Sequence, residues 1–327
     1  MFELIKVEDK EEWNKYLSQC INVSVFSTWE WGEFKSNSFE VIRLAVLKKE
    51  RFLGLAQITL KSKFGLSFGW APGGINFINQ SDLPSIISSL ESYFDFRRTV
   101  VRFSFSDEYS SNSSYLFSQV NDLKPALVKV NSGFSIKHAI NIETPVLSSF
   151  SKNNRYYYRK SLKEELSFEI KSAELEEFSV VHDEMVAIKG RSDLQLSQSE
   201  FQLLLDTHSD NVKMALVRNS RGEILCASIL IVFSNVAIYY LAGSTQEGRE
   251  RHASFFMVHE LLTNLNEFGI SDFDFGGITP YKADAAGVNR FKLGFGGRLI
   301  EYIGERDYTK SWFLRALFNA YIGYILR

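Results

Sequence analysis

Cysteine and proline are scarce in this chain: two and five among 327. Cys20 and Cys226 stand far apart with no metal-ligand spacing, which excludes a disulfide framework and a cysteine zinc site and points to a reducing compartment. The chain has no P-loop, no zinc pattern and no Ser-His-Asp order. His252 and His259 lie two helical turns apart with no Cys or paired carboxylate nearby, so both read as structural, and no metal or cofactor is expected. Neither sign of charge dominates: 37 Lys and Arg against 39 Asp and Glu give a net charge of −2. That excludes a surface built throughout for nucleic acid and leaves room only for a local basic groove. The N-terminus, MFELIKVEDKEEW, lacks the basic and apolar regions of a secretory signal, so a cytoplasmic location is expected. One uncharged run, residues 224–243, approaches the length of a membrane span, but Ser234-Asn235 interrupts it. Its β-branched and aromatic flanks predict two buried strands joined by a turn.

Aromatic residues are plentiful, with 28 Phe and 14 Tyr, and the length calls for about two domains. Residues 9–19 place Trp13, Tyr16 and Leu17 at helical spacing, and Thr28 is positioned to cap a second helix bearing Trp31, Phe34 and Lys35. Residues 41–47 and 52–60 read as a hairpin, 64–70 as a further strand closed by Ala71-Pro72-Gly73-Gly74, 83–94 as a helix and 99–105 as a strand. Residues 107–118 read as a polar surface loop around a short helix, and 138–142 as a strand. Thr144-Pro145 marks the expected domain boundary. Helices over 175–188, 199–207 and 254–268 and strands over 212–217, 224–233 and 236–242 then repeat the order of the first half without repeating its sequence. The expected class is α/β (α+β), with domains 1–144 and 145–309, each a mixed twisted sheet flanked by helices, and a C-terminal helix over 310–327. That tail is apolar on most of its circumference and carries only basic charges. It could rest on a membrane surface, but packing back on the first domain is the reading preferred.

Two stretches carry chemistry. In Asn153-Asn154-Arg155-Tyr156-Tyr157-Tyr158-Arg159-Lys160-Ser161-Leu162-Lys163 a helix would set Arg155, Arg159 and Lys163 in one stripe, suited to phosphate oxygens. The plain alternative is a solvated face paired with Glu164 and Glu165. In residues 272–297, Asp272-Phe273-Asp274-Phe275 alternates acid and aromatic, which predicts a strand with one buried face. Gly276-Gly277 ends it and permits positive φ and a close ligand. A polar loop leads to Phe291-Lys292, ahead of Gly294, Gly296 and Gly297. If the loop folds back, Asp274 and Lys292 converge at one strand end.

DFGGI, the short loop and FKLGFGG resemble the C-terminal signature of the Fem family of peptidoglycan aminoacyltransferases, built from two domains of the GNAT acyltransferase fold. The segment from Trp31 to Lys35 and the basic helix are similar to further family segments. The resemblance implies two GNAT-like domains with a cleft between them, and transfer of an aminoacyl group from aminoacyl-tRNA to an amine of a nucleotide- or lipid-linked cell-envelope precursor. It extends the expected location to the inner face of the membrane. Lys292 and Asp274 become the expected catalytic groups, one stabilising charge and the other orienting or deprotonating the ammonium. Lys35, Arg155, Arg159, Phe291, Gly276 and Gly277 become substrate-binding residues, with Lys35 and Arg155 on the acceptor's phosphates. Where GNAT acetyltransferases hold coenzyme A pyrophosphate on a glycine-rich loop, residues 246–253 offer one glycine and two acids, which disfavours acetyl-CoA in the second domain. Two other readings stay open: an N-acyltransferase using a thioester donor on an amino sugar of a surface polysaccharide, and a non-catalytic binding module.

Overall fold

The computed structural model describes residues 2–141, 143–189, 197–208 and 211–325. The chain forms two compact units, Met1–Gly133 with Glu301–Arg327, and Phe134–Ile300. The first opens with β1 (Phe2–Lys6), α1 (Lys10–Leu17) and α2 (Trp29–Ser36). Asp9 and Thr28 cap the two helices, each side chain accepting a backbone N–H three residues on. The hairpin of β2 (Glu40–Lys48) and β3 (Arg51–Lys63) is joined by antiparallel β4 (Leu66–Ala71) and short β5 (Asn76–Phe77). Then α3 (Leu83–Leu90) leads to β6 (Thr99–Glu108), parallel to β4, followed by α4 (Ser111–Ser118) and β7 (Leu123–Pro125). Period-two alternation turns Leu44, Ile58, Val101 and Phe103 toward Ile86, Ile87 and Leu90 of α3. Ala45 and Leu55 face the other way, against Trp13 and Leu17 of α1. Each such large side chain, fully buried, stabilises the fold by about 1.5–3 kcal/mol.

The second unit starts with β8 (Phe134–Ala139), α5 (Val146–Ser149), α6 (Lys152–Ser161), β9 (Ser167–Ser172), α7 (Leu175–Lys189) and α8 (Gln198–Thr207). Thus β8 lies ahead of the boundary drawn from Thr144-Pro145 and counts with the second unit. Antiparallel β10 (Val212–Arg218), β11 (Ile224–Phe233) and β12 (Val236–Ser244) follow, then α9 (Gln246–Glu250), α10 (Ala253–Asn264) and β13 (Asp272–Gly277), parallel to β12. The uncharged run is therefore β11 and β12, and among the described residues no helix is long and apolar enough to cross a membrane. The sheet of this unit runs β8-β13-β12-β11-β10-β9. Finally come α11 (Ala286–Leu293), β14 (Arg298–Tyr308) and α12 (Trp312–Ile325). β14 lies antiparallel to β6, and α12 seats Leu314 and Phe318 on Val100 of β6, so the tail packs on the first unit.

Each unit runs through a strand, two helices, three antiparallel strands, a helical connection and a strand parallel to the third. The fold is duplicated. In the second unit the parallel pair is short: register extends only from Val236 opposite Asp272 to Ile238 opposite Asp274, while β12 continues to Ser244. A β-bulge between Ile229 and Leu230 in the β11–β12 ladder bends β12 at the same level. The two strands part at Asp274, and the opening lies at their C-terminal ends.

Candidate active site

Asp274 stands at that opening. Its Oδ1 accepts from Ser135 Oγ of β8 and from the Gly276 N–H at 2.8 Å. Gly276 has φ of +71°, in the left-handed region that a β-carbon would strain, so the chain can turn tightly out of β13. Lys292 returns to the same turn: its Nζ donates to the Gly277 carbonyl at 2.9 Å. Burial lowers the Lys292 ammonium from its ordinary range to about 8, and the charge of Asp274 opposes that fall. The ammonium is half-buried, and it can give a proton or a hydrogen bond at near-neutral pH.

The loop expected after Gly277 is present, but its later part, together with Phe291 and Lys292, is the helix α11. Gly276-Gly277 and the FKLGFGG glycines mask its periodicity in the sequence, because the helix is only eight residues long. Contacts across the loop hold it. Asn289, buried, accepts the Thr279 N–H at 3.1 Å and donates to the Thr279 carbonyl at 2.9 Å. Asn154 donates to the Phe291 carbonyl at 3.0 Å, and the Ser151 N–H donates to the Gly294 carbonyl at 2.7 Å. A β-carbon on Gly294 would overlap the Asn154 side chain, so this glycine lets α6 approach. Phe291 and Phe295 pack on Phe255 of α10, and Phe295 stacks on Phe275 at 5.6 Å. The lysine is fixed by helix, clamp and aromatic wedge together.

The structure thus brings Asp274, Gly276, Gly277 and Lys292 together, with Phe291 one residue away in the aromatic wedge. Arg155, half-buried, and Arg159, exposed, stand on α6, whose first turn contacts α11. Lys163 does not extend their stripe: the helix ends at Ser161 with Leu162 as cap, because the chain must turn into β9. Glu164 pairs with Arg251 at 2.5 Å, not with the stripe. In the first unit Lys35 occupies the last turn of α2, half-buried, with its Nζ 4.1 Å from the Phe34 ring centroid. Gly32 sets that helix against the sheet, since a β-carbon there would overlap the Arg43 guanidinium, which bonds Glu33 at 2.9 Å and Gln57 at 2.7 Å.

Residues 246–250 form the short helix α9. Its Gln246 N–H donates to the Glu184 carboxylate at 2.6 Å, and its Gly248 N–H to Thr245 Oγ1 at 3.0 Å. An anion site there already holds the protein's own carboxylate. Among the described residues no group of three or more His, Cys, Asp and Glu is placed to hold a metal. Asp107, where the sequence predicts the start of a polar loop, is instead a titratable group near the end of β6 in the first unit. Burial pushes its carboxyl up to about 6, against a hydrogen bond from Asn22 at 3.1 Å. The signal lies in the alternation Phe103-Ser104-Phe105-Ser106, which, continued by one residue, sets Asp107 on the buried phenylalanine face.

The model of the FemAB family matches residues 151–320, just over half of the 327-residue chain. No curated protein matches the sequence. Among solved structures, one described as FemX superposes with a TM-score of 0.80 over 97% of this chain and 100% of its own, at 17% identity. The structure of L-PGS from Bacillus licheniformis gives 0.59 over 95% and 96% at 14% identity. A tandem GNAT protein from the clavulanic acid biosynthesis pathway gives 0.55 over 95% and 99% at 8% identity. At such identities these likenesses speak for the fold, a tandem GNAT-like one.

Proposed function

The chain belongs to the FemAB family and is an acyltransferase of peptidoglycan synthesis; from that premise we propose that it moves an aminoacyl group from aminoacyl-tRNA to an amine of a nucleotide- or lipid-linked cell-wall precursor. The observation that carries the reading is the half-buried Lys292 ammonium held over the Gly276-Gly277 turn where β12 and β13 part. The donor ester is already activated. The amine nitrogen attacks the ester carbonyl, a carbon–nitrogen bond forms, the carbon–oxygen bond to the ribose breaks, and the proton lost by the amine ends on the ribose oxygen. Charge gathers on oxygen throughout, and a preorganised cation in a dry opening stabilises it. Lys292 is that cation in this proposal. Asp274 holds the turn through the Gly276 N–H and keeps a negative charge near the ammonium, which favours its protonated form. Phe291 and the two glycines shape the opening, and Lys35, Arg155 and Arg159 take acceptor phosphates. The Glu184 carboxylate on the Gln246 N–H speaks against a thioester donor's pyrophosphate at that place.

Lys292→Ala tests the assignment. Single-turnover transfer from charged tRNA to a panel of nucleotide- and lipid-linked muropeptides, with an acyl-CoA arm beside it, should slow by roughly 10²–10³-fold. The melting temperature should not fall, since a half-buried ammonium is not a source of stability. For wild type the rate should decline as pH rises through about 8, where Lys292 loses its charge. A rate that climbs through that pH would make the lysine a base, and an unchanged variant would remove it from the reaction. Transfer from acyl-CoA alone would overturn the donor.

A further inference from the structure

The outer face of α12 is apolar and uncovered. Leu314, Phe318 and Asn319 point into the first unit, whereas Trp312, Phe313, Leu317, Tyr321 and Tyr324 are exposed, Trp312 by 81% and Tyr324 by 77%. Spacings of three and four residues put Phe313, Leu317, Tyr321 and Tyr324 along one side of the helix, and Trp312 stands at its first position, with its ring edge-on to Phe313. A lone exposed apolar residue is ordinary, but a continuous stripe of large ones marks a surface that meets something.

Exposed charge beside the stripe is mostly basic. Lys61 lies opposite Phe68, and Lys63 opposite Leu66, in the β3–β4 ladder. Directly opposed residues share a face of a sheet. Leu66 and Phe68 are the residues on which α12 rests, the Phe68 ring stacking on Phe318 at 5.6 Å. Both lysines therefore project on the side where α12 lies. Arg98, in the turn before β6, accepts the Ser67 N–H on its carbonyl at 2.9 Å, and its guanidinium lies by Gly65 of the β3–β4 turn, 4.0 Å from where a β-carbon would stand. All three cations are exposed. The β3–β4 turn adds Phe64, 91% exposed, next to Lys63. Residues 310–327 contain no Asp or Glu. At that end of the sheet Glu91 is bound by Lys310 and by the Tyr308 hydroxyl, and Asp95 accepts the Arg97 N–H at 3.0 Å.

We propose that this face of the first unit docks on a bilayer containing anionic lipid. Trp312, Tyr321 and Tyr324 would sit at the headgroup boundary, where amphipathic rings are most stable, while Lys61, Lys63 and Arg98 meet lipid phosphates. Charge complementarity selects this occupant over a second copy of the chain. A two-fold contact through the stripe would set Lys61, Lys63 and Arg98 of one copy against a mostly basic border on the other. The proposal stands apart from the transfer reaction, because docking requires no turnover.

Flotation of the full chain with vesicles tests it. Vesicles of equal parts phosphatidylcholine and phosphatidylglycerol should carry the protein, pure phosphatidylcholine much less, and salt should release it. Trp312→Ser with Tyr324→Ser should weaken partition by about tenfold or more, and each of Lys61→Gln, Lys63→Gln and Arg98→Gln by about fivefold. The charge variants, at exposed positions, give an independent reading if the aromatic variant melts early. Equal partition into both vesicle types, or partition unaffected by both sets of substitutions, overturns the proposal. So does sedimentation as a dimer that the aromatic substitutions dissolve, since the stripe would then belong to a second copy.

Discussion

An ammonium and a carboxyl, each taken partly out of water, move in opposite directions in this protein. Lys292 falls to about 8 and Asp107 rises to about 6, and in both cases burial is the larger cause. Each charge therefore costs stability at neutral pH. For Asp107 the unfolded chain loses its proton near the ordinary carboxylate value of 3.8 and the folded chain only near 6. Between those values the folded state binds more protons, so stability falls as pH rises and stays lower above the window. Asp107→Asn should thus raise stability at pH well above 6 by roughly 1–3 kcal/mol, with solvent screening setting the lower end, and should do nothing below about 4. Denaturation at both pH values checks this; an equal change at both would mean that lost packing, not charge, was measured. The shift also leaves Asp107 able to take a proton near neutrality, which an ordinary surface aspartate could not do.

At the scale of elements, α11 is too short to hold itself. Isolated helices below about 12 residues are marginal in water, and α11 has eight, including Gly287. Asn289 supplies what propensity does not, joining the helix to both polar groups of Thr279 and so fixing the loop that leaves β13. Asn289→Ala should slow transfer about tenfold or more by letting Lys292 wander from the turn, while lowering stability by only about 1–2 kcal/mol. Loss of rate with the pH profile near 8 preserved would fit misplacement. If instead the rate is unchanged, Asn289 is not needed to place the lysine. β13 makes a contrast: Phe273 and Phe275 are fully buried, and their alternation with Asp272 and Asp274 marked the strand in advance.

At the scale of the molecule, the end of the chain is tied to the first unit by one polar knot. Asn319 of α12 accepts from Arg102 at 2.8 Å and from the Leu127 and Val128 N–H groups, and it donates to Asp307 at 2.7 Å. Arg102 and Asp307 are themselves buried and bonded at 2.8 Å. Within low dielectric a satisfied network holds one arrangement, and removing a member leaves charged groups short of partners. Asn319→Leu should therefore cost about 2–4 kcal/mol, seen as a lower urea midpoint. An unchanged midpoint would mean that the apolar contacts of Leu314 and Phe318 suffice to seat α12.

Much of this molecule was legible in its sequence, and the divide follows the range of the forces involved. Caps, alternation and helical spacing are local: Thr28 starts its helix as expected, the spacing of Trp13, Tyr16 and Leu17 gives α1, and the uncharged run folds as the hairpin of β11 and β12. The glycine and acid pattern at 272–277 likewise announced a strand end with unusual backbone freedom. Which strand closes each sheet was not legible, because β14 on β6 and β8 on β13 are pairings between distant segments whose apolar patterns fit many partners. The helical state of residues 286–293 depends on Asn289, Asn154 and the phenylalanine wedge, all of them tertiary contacts. The ionisation of Lys292 and Asp107 belongs to the same class. A side chain's type is written in the sequence, but its desolvation is decided by everything that packs around it.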